Sequence, residues 1–332
     1  MNNLQTCKFE LKKKVGFGKR IFSQYAPWNP PWNPPLNHLL VPMRLACRKL
    51  GAMFPPHGAV ARYLSSAALG ARSIVPDGGI VAAFDDNYMF VGDLGDGKGF
   101  LVDPAEPDAA LGAARDLGLD IVAVLTTHKH EDHTAGNVAI SCACPGVLVY
   151  GPRECDEEAH AITHYVGDSD MIYLGQTKIT VLDTAYHTSG HVSYFVDQPG
   201  ATPALFCGDS LFVGGCGRFF EGDGADMVAA FDKMFQYPEL TQVFCGHEYT
   251  LTNFEFALSV DPGNDYLLKQ VERAKALRAQ GLPTVPSTLG DERSANPFAR
   301  LNHRAVRMAV DSPHSATEAE IADLLRDMKN NF

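Results

Sequence analysis

The run Thr127-His128-Lys129-His130-Glu131-Asp132-His133 places three imidazoles and the Asp132 carboxylate within six positions. Neutral imidazole ligates zinc and iron, and a carboxylate adds a hard anionic oxygen. The preceding Asp120-Ile-Val-Ala-Val-Leu125 is short, apolar and rich in β-branched residues, which predicts a buried strand. The donors therefore fall where a strand gives way to a loop. His128 and His130 are two apart, so in extended backbone both face one point. Asp132 and His133 follow a turn and can face a second. Two metals suit this arrangement better than one, and a solvated His-rich loop is the alternative. Lys129 is not a donor in this scheme and is expected to matter little.

A dinuclear centre needs further donors from other strand ends, and three candidates share one pattern. His187 follows the strand-like Lys178–Leu182, Asp209 follows Ala204-Leu-Phe-Cys-Gly, and His247 follows Gln242-Val-Phe-Cys-Gly. Singly each is weak, because a His after a strand is often a hydrogen-bonded structural residue and Gly-Asp is often a turn. Three repeats behind the first cluster make a strong signal.

The elements that must hold these donors can be read at low resolution. Residues 74–249 alternate apolar strands with turns and a few helices, one over Pro107–Leu117 and one over 225–236. Gly92–Gly99 reads as a hairpin turn. This mixture, with donors at strand ends, predicts an α+β chain in which two sheets pack face to face with helices outside. Residues 250–332 read as mainly helical, with a helix over Tyr266–Gln280 and a capping box, Thr317-Glu-Ala-Glu320, opening the last one. Residues 1–73 read as a separate extension containing a Pro-rich repeat, Trp28-Asn-Pro-Pro-Trp32-Asn-Pro-Pro.

Charge separates the same regions. The net charge of −11 hides eleven basic residues and a single acid, Glu10, between Met1 and Arg72. The remainder is strongly acidic, which gives no support for nucleic-acid binding. No apolar stretch is long enough to span a membrane. The eight cysteines show no pairing pattern, and Cys207, Cys216 and Cys245 read as small packing residues, which fits a reducing compartment. The acid-free, Arg- and Ala-rich stretch from Met43 to Ser73 suits a transit peptide. The expectation is import into the mitochondrial matrix with cleavage near Leu64-Ser65; plastid and cytoplasm are the alternatives.

The chain resembles the metallo-β-lactamase superfamily and, within it, glyoxalase II, the hydroxyacylglutathione hydrolases. The matching stretches are Thr127–His133, His187-Thr-Ser-Gly-His191, Gly208–Gly222, Cys245-Gly-His-Glu-Tyr249, Asp261-Pro-Gly-Asn264, Val285–Leu289 and Asn296-Pro-Phe-Ala-Arg300. Only the first is generic to the superfamily. The resemblance implies an αβ/βα sandwich catalytic domain over 74–249 and a helical substrate-binding domain over 250–332. It assigns one metal to His128, His130 and His187 and the other to Asp132, His133 and His247, with Asp209 bridging. Two divalent ions are implied, zinc first, with iron or manganese as alternatives. It implies that Asp132 and Asp209 are the catalytic carboxylates and that the nucleophile is a hydroxide between the metals. His191 lies outside that set and reads as a supporting or packing residue.

The resemblance further implies hydrolysis of glutathione thioesters, S-D-lactoylglutathione first among them, as part of methylglyoxal detoxification, by a monomer with no nucleic-acid or membrane partner. It points to Arg218, Phe220, Tyr249, Arg300 and Arg304 around the substrate, where cationic groups suit the two carboxylates of glutathione. Three positions depart from the family pattern. Phe220 stands where a Tyr is usual, Arg218 where many members have Lys, and Glu131 where an aromatic residue is common. Two alternatives stay open: a persulfide dioxygenase with one iron, and a regulatory relative with weak hydrolase activity.

Overall fold

The structure, a computed structural model, describes residues 71–155 and 160–332. The expected Pro-rich segment, transit segment and cleavage point lie outside these residues. Within the compact unit Ser66–Phe332, two six-stranded sheets carry most of the chain.

The first sheet runs in sequence order: β1 Ile80–Ala83, β2 Asn87–Gly95, β3 Lys98–Val102, β4 Asp120–Leu125, β5 Leu148–Pro152 and β6 His164–Val166. β1 to β3 are antiparallel and β3 to β6 parallel. The β2–β3 hairpin closes over Asp96-Gly97, tighter than the Gly92–Gly99 span expected from glycine content. The second sheet contains β7 Met171–Leu174, β8 Thr177–Asp183, β9 Val192–Asp197, β10 Ala204–Gly208, β11 Gln242–Cys245 and β12 Ser287–Thr288, again laid out in sequence order. β10 and β11 pair in parallel, so both deliver their carboxyl ends to the same edge.

The faces between the sheets are apolar and interlock through aromatic rings. Phe90 and Phe100 of the first sheet meet Phe206 of the second at 5.5 and 5.7 Å, and Phe90 meets Phe244 at 5.3 Å. Each buried aromatic of this kind stabilises the fold by about 1.5–3 kcal/mol relative to exposure. The outer face of the first sheet carries Met89, Val91, Leu101 and Val124, which are covered by Ala110 and Ala114 of α1 (Pro107–Asp116) and by Ile140. Short helices α2 (Glu131–Thr134) and α3 (Asn137–Ala143) follow β4. α4 (Gly224–Met234) buries Met227, Ala230, Phe231 and Met234 toward the second sheet. The α+β sandwich with helices outside is thus observed.

From Thr250 onward the chain is helical: α5 Thr250–Val260, α6 Asp265–Arg278, α7 Leu289–Ala295, α8 Arg304–Ala309 and α9 Glu318–Asn330. The Thr317/Glu320 capping box opens α9 as expected. β12 was not foreseen; two residues are too few to show a pattern. These helices grip the hairpin Leu211–Cys216. Asn253 of α5 donates to the Val213 carbonyl at 3.0 Å, Glu292 of α7 accepts from the Gly214 amide at 2.9 Å, Asn296 donates to the Gly215 carbonyl at 2.9 Å, and Arg326 of α9 donates to the Cys216 carbonyl at 3.1 Å. The hairpin lies between Asp209 and Arg218, so the helical region braces two site residues through their connecting chain.

Candidate metal centre

β4 ends at Leu125, and the Thr127 amide and hydroxyl both donate to the Asp103 carboxylate, at 2.8 and 2.7 Å. The chain then bends at His128-Lys129 rather than staying extended. The two histidines still converge, because the bend sets His128 Nε2 2.9 Å from His130 Nδ1, so they present different ring nitrogens. His187 Nε2 lies 3.2 Å from the same His130 nitrogen. These three form one donor group.

α2 supplies the turn that separates the second group. Asp132 and His133 sit on it, and His247 comes from the loop after β11. His247 Nε2 is 3.5 Å from Asp132 Oδ2, and His133 Nε2 is 3.7 Å from the same oxygen. Asp209 lies between the groups. Its Oδ2 is 3.4 Å from His187 Nε2 and 3.3 Å from His247 Nε2, while Oδ1 is 3.4 Å from His133 Nε2. The seven residues singled out in the sequence therefore converge, and one carboxylate reaches both groups.

The donor set fits cations. His133 Nε2 and Asp209 Oδ1 are buried without a hydrogen-bond partner, which is costly for polar atoms unless an ion satisfies them. Burial first, then its histidine neighbours, holds His128 well below the usual imidazole range, so it is a neutral donor. Burial opposes ionisation of Asp209, but His247 and His133 outweigh it and hold its carboxyl well below the usual range. Burial likewise opposes protonation of His247, yet Asp209 and Asp86 push it up to about 9. Cations compete with protons for such a site.

The outer nitrogens are also fixed. His133 Nδ1 lies 2.9 Å from Asp103 Oδ2 and His247 Nδ1 2.8 Å from Asp86 Oδ1. His187 Nδ1 faces the Arg218 carbonyl at 3.1 Å. Asn87 donates to Asp132 Oδ2 at 3.0 Å. His191 is a supporting residue: its Nε2 accepts from the Asp209 amide at 3.1 Å, and its Nδ1 lies 2.9 Å from the Thr184 hydroxyl. Asp103, Asp86 and Asn87 were not singled out in the sequence, although Val102-Asp103 repeats the strand-then-donor pattern. Close packing explains two glycines. Gly208, at φ +46°, would set a Cβ 2.5 Å from the Thr127 hydroxyl, and a Cβ at Gly246 would fall 2.4 Å from Asp209 Oδ1.

On the rim, Tyr249 stacks on His247 with centroids 4.8 Å apart, and Phe220 lies 5.1 Å from His187 and 6.2 Å from His130. Burial, then Asp86 and Asp209, raises the Tyr249 phenol, and Arg218 counteracts this in part. Glu131 is exposed. Arg300 is placed differently. Its guanidinium pairs with Asp261 at 2.7 Å and it lines a groove with Phe231, Phe235, Arg293 and His303, none of them a metal-group residue. Arg304 is exposed at the start of α8. Cys207, Cys216 and Cys245 are free thiols buried in the core, as expected.

Comparison with known proteins agrees with this geometry. Residues 81–247 match the model of the metallo-beta-lactamase superfamily, and residues 248–332 match that of the hydroxyacylglutathione hydrolase C-terminus. The hydroxyacylglutathione hydrolase of Aliivibrio fischeri is 40% identical over 253 residues, covering 76% of this chain and 98% of that protein. That of Thermosynechococcus vestitus is 41% identical over 229 residues, covering 69% and 90%. Among solved structures, ETHE1 from Myxococcus xanthus superposes with a TM-score of 0.52 at 21% identity, covering 75% of this chain and 90% of that one. That likeness shows the fold alone.

Proposed function

The chain belongs to the hydroxyacylglutathione hydrolase family, and on that premise we propose that it cleaves S-D-lactoylglutathione to D-lactate and glutathione at the centre built by His128, His130, Asp132, His133, His187, Asp209 and His247. The observation that carries the reading is the position of Asp209, buried between two donor groups with its Oδ2 near His187 of one and His247 of the other. Two divalent cations held there would supply Lewis acidity and an activated water at neutral pH. No Ser or Cys nucleophile is then required.

The chain's own residues do the rest. Asp103, Asp86 and His191 fix His133, His247 and the Asp209 backbone, so the donors are set before substrate arrives. Tyr249, stacked on His247, and Arg218, whose carbonyl meets His187, offer a hydroxyl and a cation for the thioester or the peptide carboxylates. Phe220 presents an apolar edge where a hydroxyl is usual in relatives, which removes one donor and leaves van der Waals contact. A substrate carboxylate at Arg300 must compete with Asp261.

Several finer points belong to the same proposal. The imidazole-rich groups suit zinc, with iron and manganese able to use the same ligands. Monomeric action belongs to the same proposal. Import into the mitochondrial matrix is supported by the acid-free, basic stretch from Met43. Among the described residues no helix is long and apolar enough to cross a membrane.

The test is substrate choice. Hydrolysis of S-D-lactoylglutathione is expected to exceed by at least about tenfold, in kcat/KM, that of a simple lactoyl thioester lacking the peptide, given charge-assisted contacts of about 1.5–3 kcal/mol each. Equal rates on both would remove glutathione from the account.

A further inference from the structure

The two donor groups are supported in different ways. The outer nitrogens of His133 and His247 meet the carboxylates of Asp103 and Asp86. In the three-histidine group, the outer nitrogens of His128 and His187 meet only the Thr127 hydroxyl, at 3.0 Å, and the Arg218 carbonyl. That group instead has an ion cluster on its outer side. Lys129, between two of the histidines, places Nζ 2.7 and 2.9 Å from the two oxygens of Glu221 and 3.3 Å from Glu154. Glu221 also accepts from the Ser189 amide at 2.8 Å. Glu154 accepts from the hydroxyls of Thr188 and Ser189, the two residues after His187. Gly190 lets Glu154 lie against this loop, since a Cβ there would fall 2.5 Å from the Glu154 side chain. Glu221 closes the ring on the chain that carries Phe220 and the Arg218 carbonyl.

One cation and two carboxylates thus tie together the segment holding His128 and His130, the segment holding His187, and the segment holding the acceptor for His187. None of the three is a donor to the centre. We propose that Lys129, Glu154 and Glu221 form a positioning clamp that sets the metal affinity of the three-histidine group and leaves the Asp132–His133–His247 group unaffected. This revises the expectation that Lys129 matters little. A single exposed ion pair contributes little. Here Lys129 meets Glu221 through both carboxylate oxygens, and the network joins three segments whose relative placement decides whether three nitrogens converge. The inference rests on the two-metal reading above.

The test uses the full chain stripped with a chelator and titrated calorimetrically with zinc. The unvaried chain is measured first: two binding steps together with thioester hydrolysis establish the reading on which the clamp depends. Lys129→Ala should then weaken one step by about tenfold or more, the scale seen when a residue supporting a metal ligand is removed, with the other step and the KM at saturating zinc unchanged. Glu221→Gln should weaken the same step, and the double variant should be little worse than either single one. Lys129→Arg should restore most of the loss. Two unchanged steps in Lys129→Ala overturn the clamp and leave the hydrolase reading intact. So does equal weakening of both steps, with or without a lowered melting temperature. If Lys129→Ala does not fold, Glu221→Gln and Lys129→Arg decide by the same criteria.

Discussion

At the scale of single residues, Asp209 holds the site together. Its backbone amide is held by His191, its Oδ2 reaches His187 and His247 in the two donor groups, and its Oδ1 reaches His133. Asp209→Ala is therefore expected to lower bound metal below two per chain and to abolish turnover, checked by elemental analysis of the purified variant beside an activity assay. Asp103 is a supporting residue of comparable weight. It receives the Thr127 amide and hydroxyl and fixes His133, all in a buried setting. Asp103→Asn keeps the size but exchanges an acceptor for a donor, so metal affinity should fall by about 10–100-fold, measured by competition with a chelator. The seven donors were legible in the sequence because their side-chain types carry the chemistry and three follow one strand-end pattern. Asp103, Asp86 and Asn87 were not, because a lone acid or amide at a strand end looks the same whether it caps a turn or orients a histidine.

At the scale of elements, the hairpin Leu211–Cys216 is where the helical region meets the site, and Glu292 of α7 is a pH-sensitive group there. It is buried, accepts from the Gly214 amide and Asn296, and burial pushes its carboxyl up from 4.5 to about 7. Between those values the folded chain keeps a proton that the unfolded chain releases. The stabilisation is complete below the unfolded value and is lost as pH rises through about 7, on the order of 3 kcal/mol at most. Melting temperatures of Glu292→Gln should fall less between these pH values than those of the unvaried chain; parallel curves would exclude Glu292 as the source. Long periodic helices and the Thr317/Glu320 capping box could be read directly, since local chemistry decides them. β12 and the bend at His128-Lys129 could not. The first takes its strand geometry from β11 alone, and the second is imposed by convergence on His187.

At the scale of the molecule, the sandwich rests on aromatic contact between its two sheets. Phe206 meets Phe90, Phe100 and Phe244 and is fully buried. Phe206→Ala should cost about 3–5 kcal/mol of unfolding free energy in a denaturant titration. The sheet order could not be read from the sequence, because register and neighbours depend on contacts far apart along the chain. The compact unit begins at Ser66, so a chain starting at Ser65 should bind the same metal and keep its kcat, while losing both tryptophans, Trp28 and Trp32. The central claim, a hydrolase that needs both donor groups filled, is tested most directly by one measurement. The rate of S-D-lactoylglutathione hydrolysis should be followed while metal is added back to the chelator-stripped chain. The rate should start near zero and reach its plateau only at two equivalents per chain. A plateau at one equivalent, or full hydrolysis with none, would contradict it.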